Sequence, residues 1–467
     1  MKKNIVIFGF GYYGKNAYWN LKDKFNILFF ADNDEKMVGT DYEGVRVVRG
    51  GDIVKYDLFD TDIVICSIAY YEISAQLEDY GILEYYVMLE GFLYHSDKSE
   101  FMMPVEINKA VPYKKSEDVS NILFVQNMAC SRTHKIAKIM KETGYEVNLL
   151  YTLAPPYGAY ASFMEVYDNI WCFSSPNGIC DFINAGEFDI IHTSNEPDIL
   201  SCILQKTNKR IVSDVHDLQS IRRDVDIDTL ALEYISNKWS DGHMYTSTEI
   251  AKISGEKYSL NDDYVYSIGN YVDREVPING HFSKLSALDG EIHCVYEGGV
   301  VGNDRNHHRF FDEMWRAIVD AGTQIHFYSQ SDRKLCMRLE GLSPNIHYEG
   351  SLAGDALINE MSKYDIGLAL FNVTDTNRLH LEGASINKVY EYLNAGLPIC
   401  SFGIMSLEAF LLENNVGAEI DFSKDILYQI KRIVTMNVQP GFLEKKKLTM
   451  LSHKDSLKDF YHKVMDI

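Results

Sequence analysis

Residues 121–151, with the sequence NILFVQNMACSRTHKIAKIMKETGYEVNLLY, decide the fold class. They begin with a short apolar run typical of a buried strand, continue into a helical pattern, and end in the apolar run VNLLY. Residues 4–14 (NIVIFGFGYYG) and 292–318 (IHCVYEGGVVGNDRNHHRFFDEMWRAI) begin in the same way. Short apolar runs that alternate with helical stretches of roughly 10–15 residues indicate parallel sheets with helices on both faces. The chain is therefore predicted to have an α/β fold.

Three such stretches predict three Rossmann-like domains in a row. A chain of 467 residues is also too long for one ordinary domain. The first predicted domain covers residues 1–102. Residues 103–120 contain prolines and mixed charges without an apolar period, which is typical of a linker. The other two domains are predicted at residues 121–280 and 281–467, the last with a C-terminal helix.

Composition excludes several classes of partner. The formal net charge of −22 argues against nucleic acid, because phosphate binding needs a basic surface, although a local basic pocket for a small anion stays open. The eight cysteines are scattered without a C-x-x-C pair, which favours reduced thiols. No run approaches the roughly 18 apolar residues of a membrane span, and the N-terminal apolar run is too short for a signal peptide. We expect a cytoplasmic protein.

The first domain carries a candidate nucleotide-binding motif. Gly9, Gly11 and Gly14 have the spacing G-x-G-x-x-G between a strand and a helix, and Asp32 ends the next strand, NILFFAD. Glycines at these positions allow a tight turn and the approach of a pyrophosphate to the helix, and the acid can accept a ribose hydroxyl. NAD(P) or a nucleotide-sugar is the predicted ligand. The alternative is that the glycines close a turn in a docking module.

Two stretches of this domain resemble a known module. Residues 30–48 (FADNDEKMVGTDYEGVRVV) and 62–82 (DIVICSIAYYEISAQLEDYGI) are similar to the nucleotide-binding N-terminal domain of bacterial sugar acyltransferases. The resemblance implies a site for a nucleotide-sugar or a dinucleotide, and it brings no catalytic residue with it.

A second resemblance covers the chain from about residue 121 to its end. Residues 345–372 (NIHYEGSLAGDALINEMSKYDIGLALFN) and 386–402 (INKVYEYLNAGLPICSF) resemble the donor-binding half of family-4 glycosyltransferases. The resemblance implies a GT-B fold, with residues 121–280 as the acceptor domain and 281–467 as the donor domain. Residues 395–398 (AGLP) are expected to turn the chain from a helix back to the sheet.

The same resemblance implies donor contacts in the helix that contains Glu391. Glu391 is the implied ribose ligand, Lys388 lies one turn before it, and helix-start amides can hold phosphate oxygens without a metal. The candidate amides belong to Ser385, Ile386 and Asn387.

The chain departs from the family at one acidic position. The family has a second glutamate seven residues before the ribose ligand, and Gly383 occupies that position here, with Glu382 as the nearest acid. Either a bulge restores Glu382 to the site, or the chain belongs with a subgroup in which a lysine replaces the first acid.

Further candidates lie on other strands. Arg305 is the predicted diphosphate ligand by resemblance, while His307, His308 and Arg309 are expected at the surface. In KRIVSDVHDLQS (209–220), His216 matches the family histidine that faces the donor sugar, and a purely structural histidine is the alternative. Less certain sites are the following: Asp217, Asn195, Glu196, Ser131 and Arg132.

No metal site is predicted. Residues 224–228 (DVDID) resemble a D-x-D metal motif, but they lie in a polar segment and are interpreted as an acidic turn or a helix cap.

Together these features predict a metal-independent, retaining glycosyltransferase. Its donor would be a UDP- or GDP-sugar, and its acceptor a glycan or lipid-linked sugar of bacterial surface polysaccharide biosynthesis. The alternatives are a nucleotide-sugar epimerase of GT-B fold and a non-catalytic scaffold that senses nucleotide-sugars. Peripheral contact with the inner face of the membrane and the oligomeric state stay open.

Overall fold

The computed structural model describes residues 2–67, 69–89, 92–95, 105–127, 130–152, 165–173, 175–194, 198–222, 225–276, 283–352 and 354–467. The chain divides into two compact units. The first comprises Met1–Ile191 and Lys206–Lys209, and the second comprises His192–Gln205 and Arg210–Ile467.

The first unit begins with a seven-stranded sheet. Its strands are β1 (Asn4–Phe8), β2 (Asn26–Asp32), β3 (Asp41–Tyr42), β4 (Val45–Arg49), β5 (Thr61–Ile65), β6 (Tyr86–Leu89) and β7 (Phe92–His95). They are arranged in the order β3-β4-β2-β1-β5-β6-β7. β1 lies between β2 and β5 and is parallel to both, while the edge strands β3 and β7 pair antiparallel with their neighbours. The strand order therefore reverses beside β1, as in a Rossmann sheet.

The first unit also contains a second group of strands, β8 (Val105–Glu106), β9 (Asn121–Gln126), β10 (Glu146–Thr152) and β11 (Asn169–Phe173). They are parallel and lie in the order β9-β10-β11-β8. The segment predicted as a linker thus contributes β8, and its Tyr113 is buried with its ring stacked 4.7 Å from that of Phe188. The helices of this unit are α1 (Tyr12–Leu21), α2 (Tyr70–Asp79), α3 (Ser131–Glu142) and α4 (Ile179–Ala185).

The next four strands of the chain are β12 (Ile190–Ser194), β13 (Arg210–Val215), β14 (Gly242–Tyr245) and β15 (Val265–Ser267). They lie in the order β12-β13-β14-β15, and β14 is parallel to both β13 and β15. The accompanying helices are α5 (Ile199–Leu204), α6 (Gln219–Arg222), α7 (Ile227–Trp239) and α8 (Thr248–Tyr258).

The second unit ends with a six-stranded parallel sheet. Its strands are β16 (Ile292–Glu297), β17 (Thr323–Tyr328), β18 (Ile346–Tyr348), β19 (Ile366–Leu370), β20 (Ile399–Phe402) and β21 (Gly417–Glu419). Their order is β18-β17-β16-β19-β20-β21, so the direction of strand addition reverses between β16 and β19. The helices are α9 (Ser286–Asp289), α10 (Asp312–Asp320), α11 (Arg333–Glu340), α12 (Gly354–Met361), α13 (Arg378–Gly383), α14 (Asn387–Asn394), α15 (Met405–Asn414), α16 (Ile426–Val434), α17 (Phe442–Lys445) and α18 (Lys454–Met465).

Helices cover both faces of this sheet. Alternate strand residues belong to two separate cores, for example Val295 to one and Tyr296 to the other. The first core includes apolar residues of α12, α14 and α15, and the second includes residues of α10, α11 and α16. All five residues of β19 are buried, as expected for a central parallel strand. The predicted α/β fold class is confirmed, while the domain boundaries stay a prediction.

Two composition-based expectations also meet the structure. All eight cysteines carry free thiols. Within the described residues, no helix is both long and apolar enough to cross a membrane.

Candidate active site

The candidate site lies in the second unit, at the carboxyl end of β16. This strand ends at Glu297 and is followed by Gly298, whose φ of +118° favours glycine. A Cβ atom on Gly298 would lie 3.5 Å from the Nζ of Lys388. Because β16 flanks the point where the strand order reverses, this turn occupies the crevice in which α/β sheets usually bind ligands.

Lys388 is the buried cation of the site. Its side chain is 9% exposed, and its Nζ lies 3.9 Å from the ring centroid of Tyr296 and 5.6 Å from that of Phe371. Burial lowers the pKa of Lys388 to about 7, and the charge of Arg309 lowers it further, whereas Glu297 and Glu391 oppose the shift. Near neutral pH the ammonium group is therefore poised to gain or lose a proton.

Glu297 and Glu391 form a carboxyl pair beside this lysine. Their side chains are in hydrogen-bonding contact. Burial raises the pKa of Glu297 well above its usual value, the adjacent Glu391 raises it further, and Lys388 and Arg309 act in the opposite direction. Two carboxyl groups in such contact hold one proton between them. Sequence reasoning missed Glu297, although an acid at the end of a strand and before a glycine turn is a recognisable signal.

Tyr392 fixes α14 against the sheet. Its hydroxyl accepts a hydrogen bond from the backbone N–H of Glu297 (3.0 Å) and donates one to the carbonyl of Leu368 (3.2 Å). A Cβ atom on Gly367 would overlap the Tyr392 ring, so the glycine of the DIGLAL stretch makes room for this contact. As a result, α14 is tied to both β16 and β19, and Lys388 and Glu391 are held over the end of β16.

The start of α14 is tied to a neighbouring loop. The Ser385 hydroxyl accepts a hydrogen bond from the N–H of Asn270 (2.7 Å), and the Ser385 carbonyl accepts one from the Asn270 amide group (3.0 Å). Ile386 is the extended residue before the helix, and the exposed Asn387 is its first residue. The predicted phosphate amides thus lie at the start of a helix, while the Ser385 side chain has a structural contact.

Glu382 has a different role from the one considered for it. Its carboxylate accepts hydrogen bonds from the backbone N–H groups of Met405 (3.0 Å) and Ser406 (2.9 Å), so it caps the N-terminus of α15. The bulge that would return Glu382 to the carboxyl pair is therefore absent from this part of the described chain. The acid that contacts Glu391 comes from β16 instead.

Two arginines follow Gly298. Arg305, the predicted diphosphate ligand, is exposed, and its carbonyl accepts a hydrogen bond from the Asn372 amide group (2.6 Å). Arg309 is also exposed, yet a Cβ atom on Gly299 would lie 2.6 Å from its Nη1, and its charge affects both Lys388 and Glu297. The structure therefore brings Arg309 to the carboxyl pair, and the role of Arg305 stays a prediction.

His307 and His308 stack on each other in the same loop, with ring centroids 4.4 Å apart. They are half-buried, so the expectation of a fully surface position is wrong for both. Burial, followed by the charge of Arg309, lowers the pKa of His308 to about 3. His308 is therefore neutral at physiological pH.

His216 follows β13 and is oriented by a buried acid. Its Nε2 lies 3.1 Å from the Oδ2 of Asp214 and 3.5 Å from the Ser194 hydroxyl. Asp214 is fully buried, and the Nε2 of His192 lies 3.4 Å from the same oxygen. This arrangement suits a histidine held in one orientation at the end of a strand.

The remaining candidates are spread over several elements. Asp217 forms ion pairs with Arg222 (3.0 Å) and His380 (3.7 Å). Ser131 begins α3 and Arg132 is buried, whereas Asn195 and Glu196 lie outside the described residues.

The glycine motif of the first unit forms a turn between β1 and α1. Gly9 has a φ of +109°, and a Cβ atom there would lie 2.6 Å from the Cys66 carbonyl oxygen. A Cβ atom on Gly14 would overlap the Gly9 carbonyl, whereas no described atom lies within 4 Å of one on Gly11. The Asp32 carboxylate accepts hydrogen bonds from the backbone N–H groups of Phe10 (2.6 Å) and Asp34 (2.7 Å). Gly9 and Gly14 thus have packing roles, and Gly11 leaves open space.

Acidic and metal-ligating groups give no metal site among the residues that the structure describes: no group of three or more His, Cys, Asp or Glu side chains could hold an ion. In the DVDID stretch, the Asp226 side chain accepts a hydrogen bond from the N–H of Thr229 (2.8 Å) and caps α7, as predicted, while Asp224 lies outside the described residues.

Known proteins resemble parts of the chain. A family model described as "C2185-like, N-terminal" matches residues 1–88. No curated protein matches the chain. Among solved structures, AviGT4, a glycosyltransferase involved in avilamycin A biosynthesis, is 14% identical, with a TM-score of 0.48 over 74% of this chain and 98% of that one. Anabaena Alr3699/HepE in complex with UDP-glucose is 12% identical, with a TM-score of 0.47 over 74% of this chain and 98% of that one.

A glycosyltransferase from Rickettsia africae ESF-5 is also 12% identical, with a TM-score of 0.47 over 75% of this chain and 94% of that one. These similarities are too low to assign a donor or a reaction. Both therefore depend on the residues of this chain.

Proposed function

We propose that this protein is a glycosyltransferase that takes a sugar from a nucleotide-sugar donor. The observation that carries the proposal is the buried Lys388 beside the Glu297–Glu391 carboxyl pair, at the carboxyl end of β16 and the start of α14. Ionisable groups with strongly shifted pKa values, placed where the strand order reverses, mark a functional site in an α/β sheet. A cation and a carboxylate side by side match the diphosphate and the ribose of a nucleotide-sugar.

In this proposal, the donor lies against the first turn of α14. Lys388 and the amides at Ser385, Ile386 and Asn387 hold the diphosphate, with Arg309 and Arg305 as further cations on the loop after β16. Glu391 accepts the ribose hydroxyls. The positive end of the helix dipole adds to the attraction of the phosphates.

The reaction would be metal-independent and retain the anomeric configuration. The C1–O bond of the donor sugar breaks, and the electron pair leaves with the diphosphate, where Lys388 stabilises the developing charge. The acceptor hydroxyl attacks from the same side, and a leaving phosphate oxygen takes its proton. His216, held by Asp214, would face the acceptor side of the sugar. The acceptor would be a glycan or a lipid-linked sugar of a bacterial surface polysaccharide.

The first unit would bind NAD(P) or a nucleotide-sugar at the Gly9–Gly14 turn. The open space at Gly11 supports this role, because a phosphate can approach the backbone there. In this proposal the first unit serves as a ligand-binding module that accompanies the transferase.

A nucleotide-sugar epimerase is the second candidate. The observation in its favour is the presence of a neutral carboxyl group and a lysine with a pKa of about 7 in one site, since epimerisation needs an acid and a base near the sugar. An epimerase converts its nucleotide-sugar without any acceptor, and a transferase does not.

The test is a panel of UDP- and GDP-sugars incubated with the full chain, with and without bacterial surface glycans or lipid-linked sugars. The proposal expects release of UDP or GDP that depends on the acceptor, survives EDTA, and is lost in Lys388→Met. Glu413→Gln, which alters an exposed glutamate of α15, is the matched control. Absence of both binding and turnover across the panel would contradict the proposal. Epimerised nucleotide-sugar without acceptor would favour the second candidate.

A further inference from the structure

The donor site contains an acid that the proposed function leaves without a role. Glu297 ends β16, its backbone N–H is held by the Tyr392 hydroxyl (3.0 Å), and its side chain contacts Glu391. Burying a carboxyl group next to another carboxyl group is costly. Such an arrangement needs a compensating function or a compensating partner.

A structural explanation for Glu297 is weak. The nearby cation, Lys388, is itself buried against the Tyr296 ring. Buried ion pairs contribute little net stability, and here two acids compete for one lysine. Tyr392 already ties α14 to β16 through the backbone of Glu297, so the Glu297 side chain is not needed for that connection.

The position of Glu382 points to the role of Glu297. Both carboxylate oxygens of Glu382 are engaged by the N–H groups of Met405 and Ser406 at the start of α15. The loop from α13 to α14 therefore supplies no second acid to Glu391. β16 supplies one from the opposite side of the crevice.

We infer that Glu297 is a specificity-determining residue of the donor site, which forms with Glu391 a proton-sharing carboxyl pair that recognises the vicinal diol of a ribonucleoside diphosphate. This inference rests on the proposed function and deepens it. A diol presents two O–H donors and two oxygen acceptors. A single carboxylate can accept both O–H groups, and the shared proton adds a donor for one of the diol oxygens. The pair thus matches two adjacent hydroxyls better than one.

The shared proton also adjusts the charge of the site. With one proton, the pair carries a single negative charge, which a protonated Lys388 balances. Two full negative charges would repel the diphosphate of the ligand. The titratable and charged groups around the pair come from three elements: Tyr296 on β16, Lys388 and Tyr392 on α14, and His307, His308 and Arg309 on the loop after β16.

The test compares ribonucleotides with deoxyribonucleotides on the full chain. Dissociation constants are measured by calorimetry for UDP and GDP and for their 2′-deoxy forms. The wild type is expected to prefer the ribonucleotide by roughly ten- to a hundredfold, because a hydrogen bond to a charged group is lost in the deoxy form. In Glu297→Ala the preference is expected to fall to within a few-fold, with the deoxynucleotide affinity less affected.

Glu297→Gln separates recognition from a general structural role. Glutamine resembles the protonated carboxyl group, so this variant is expected to keep most of the preference. If Glu297→Ala does not fold, Glu297→Asp replaces it, because the shorter side chain withdraws the carboxyl group from Glu391 and should also lose the preference. Glu413→Gln is the control.

The outcomes distinguish the two levels of the proposal. If the wild type binds neither UDP nor GDP, the proposed function fails, and this inference fails with it. If the wild type binds and prefers ribose but Glu297→Ala keeps the same preference, the inference alone is overturned. It is likewise overturned if the preference disappears in Glu382→Gln and persists in Glu297→Ala.

Discussion

Two glycine turns in this protein share a backbone design and differ in the charges placed on it. In the first unit, β1 lies between β2 and β5 and runs into Gly9, with a φ of +109°. In the second unit, β16 lies between β17 and β19 and runs into Gly298, with a φ of +118°. Both turns occupy the crevice beside the reversal of strand order.

The acids near the two turns are used differently. Asp32, near the Gly9 turn, accepts hydrogen bonds from the N–H groups of Phe10 and Asp34, so its charge is satisfied within the protein. At the Gly298 turn, Glu297 contacts Glu391 beside the buried Lys388, and the pKa values of Glu297 and Lys388 are shifted. A turn can therefore be common to two sites while the chemistry depends on the side chains around it. The Gly298 turn has the groups expected of a reaction site.

Glu391→Ala is expected to have the largest effect. Loss of the ribose ligand should lower kcat/KM for the nucleotide-sugar by about 100- to 1,000-fold, because a preorganised charged contact with the donor is removed. Steady-state kinetics with the donor identified in the panel measures this change, with Glu413→Ala as the control. Unchanged kinetics in Glu391→Ala would place the donor elsewhere and remove the distinction between the two turns.

Gly14→Ala should be the most damaging change at the Gly9 turn. Its methyl group would overlap the Gly9 carbonyl, and overpacking of this kind costs about 3 kcal/mol. Hydrogen–deuterium exchange of the β1 amides reports the free energy of local opening in the first unit. Gly11→Ala is the matched control within the motif, because no described atom lies within 4 Å of the added methyl group. Equal destabilisation by the two substitutions would be evidence against this account of the turn.

Lys388→Met is expected to lower the affinity for UDP or GDP by about tenfold at pH 7, where a charged contact is lost. In the wild type, the pKa of Lys388 is about 7 in the empty site. Below this pH the lysine is charged and attracts the diphosphate, so the affinity should decrease as the pH rises above 7. Lys388→Met should show no such decrease between pH 7 and 9. Calorimetry across this range measures both profiles.

The same substitution has an opposite effect on stability. The unfolded chain holds the Lys388 proton up to the ordinary lysine pKa, whereas the folded protein releases it near pH 7. The stability contribution of this group is therefore lowest at and below pH 7 and increases as the pH rises toward the unfolded value. Lys388→Met should raise the Tm of the empty protein at pH 7. A lower Tm together with normal nucleotide binding would identify Lys388 as a structural residue.

Asp32→Asn is expected to have the smallest effect. The amide group cannot accept both hydrogen bonds from Phe10 and Asp34, so local stability of the first unit should fall by about 1 kcal/mol. Hydrogen–deuterium exchange of β2 measures this change. Donor turnover at the Gly298 turn should not change. A large loss of turnover in Asp32→Asn would assign the reaction to the first unit.

Local sequence patterns predicted the backbone of the donor site well. The strand-and-helix alternation gave the fold class, and the AGLP segment turns the chain at Gly396, with a φ of +73°, before β20 begins at Ile399. These features depend on burial periodicity and on glycine conformation, both of which are visible in a single sequence. Lys388 and Glu391 were also identified from one short segment, because they lie one turn apart on the same helix.

Tertiary contacts determined what the sequence left undecided. Glu297 is separated from Glu391 by the whole of β17 to β19, so their contact depends on the sheet order. Glu382 was considered as the partner acid, but it caps α15, a helix that begins more than twenty residues later in the chain. The choice between Arg305 and Arg309 depends on the path of one loop. None of these contacts has a local pattern.

The most direct test of the account is a crystal structure of the full chain with UDP or GDP bound. The account predicts diphosphate oxygens within hydrogen-bonding distance of the Lys388 Nζ and ribose hydroxyls on the Glu391 carboxylate. A nucleotide bound at the Gly9 turn of the first unit, with Lys388 and Glu391 unliganded at a saturating concentration, would contradict it.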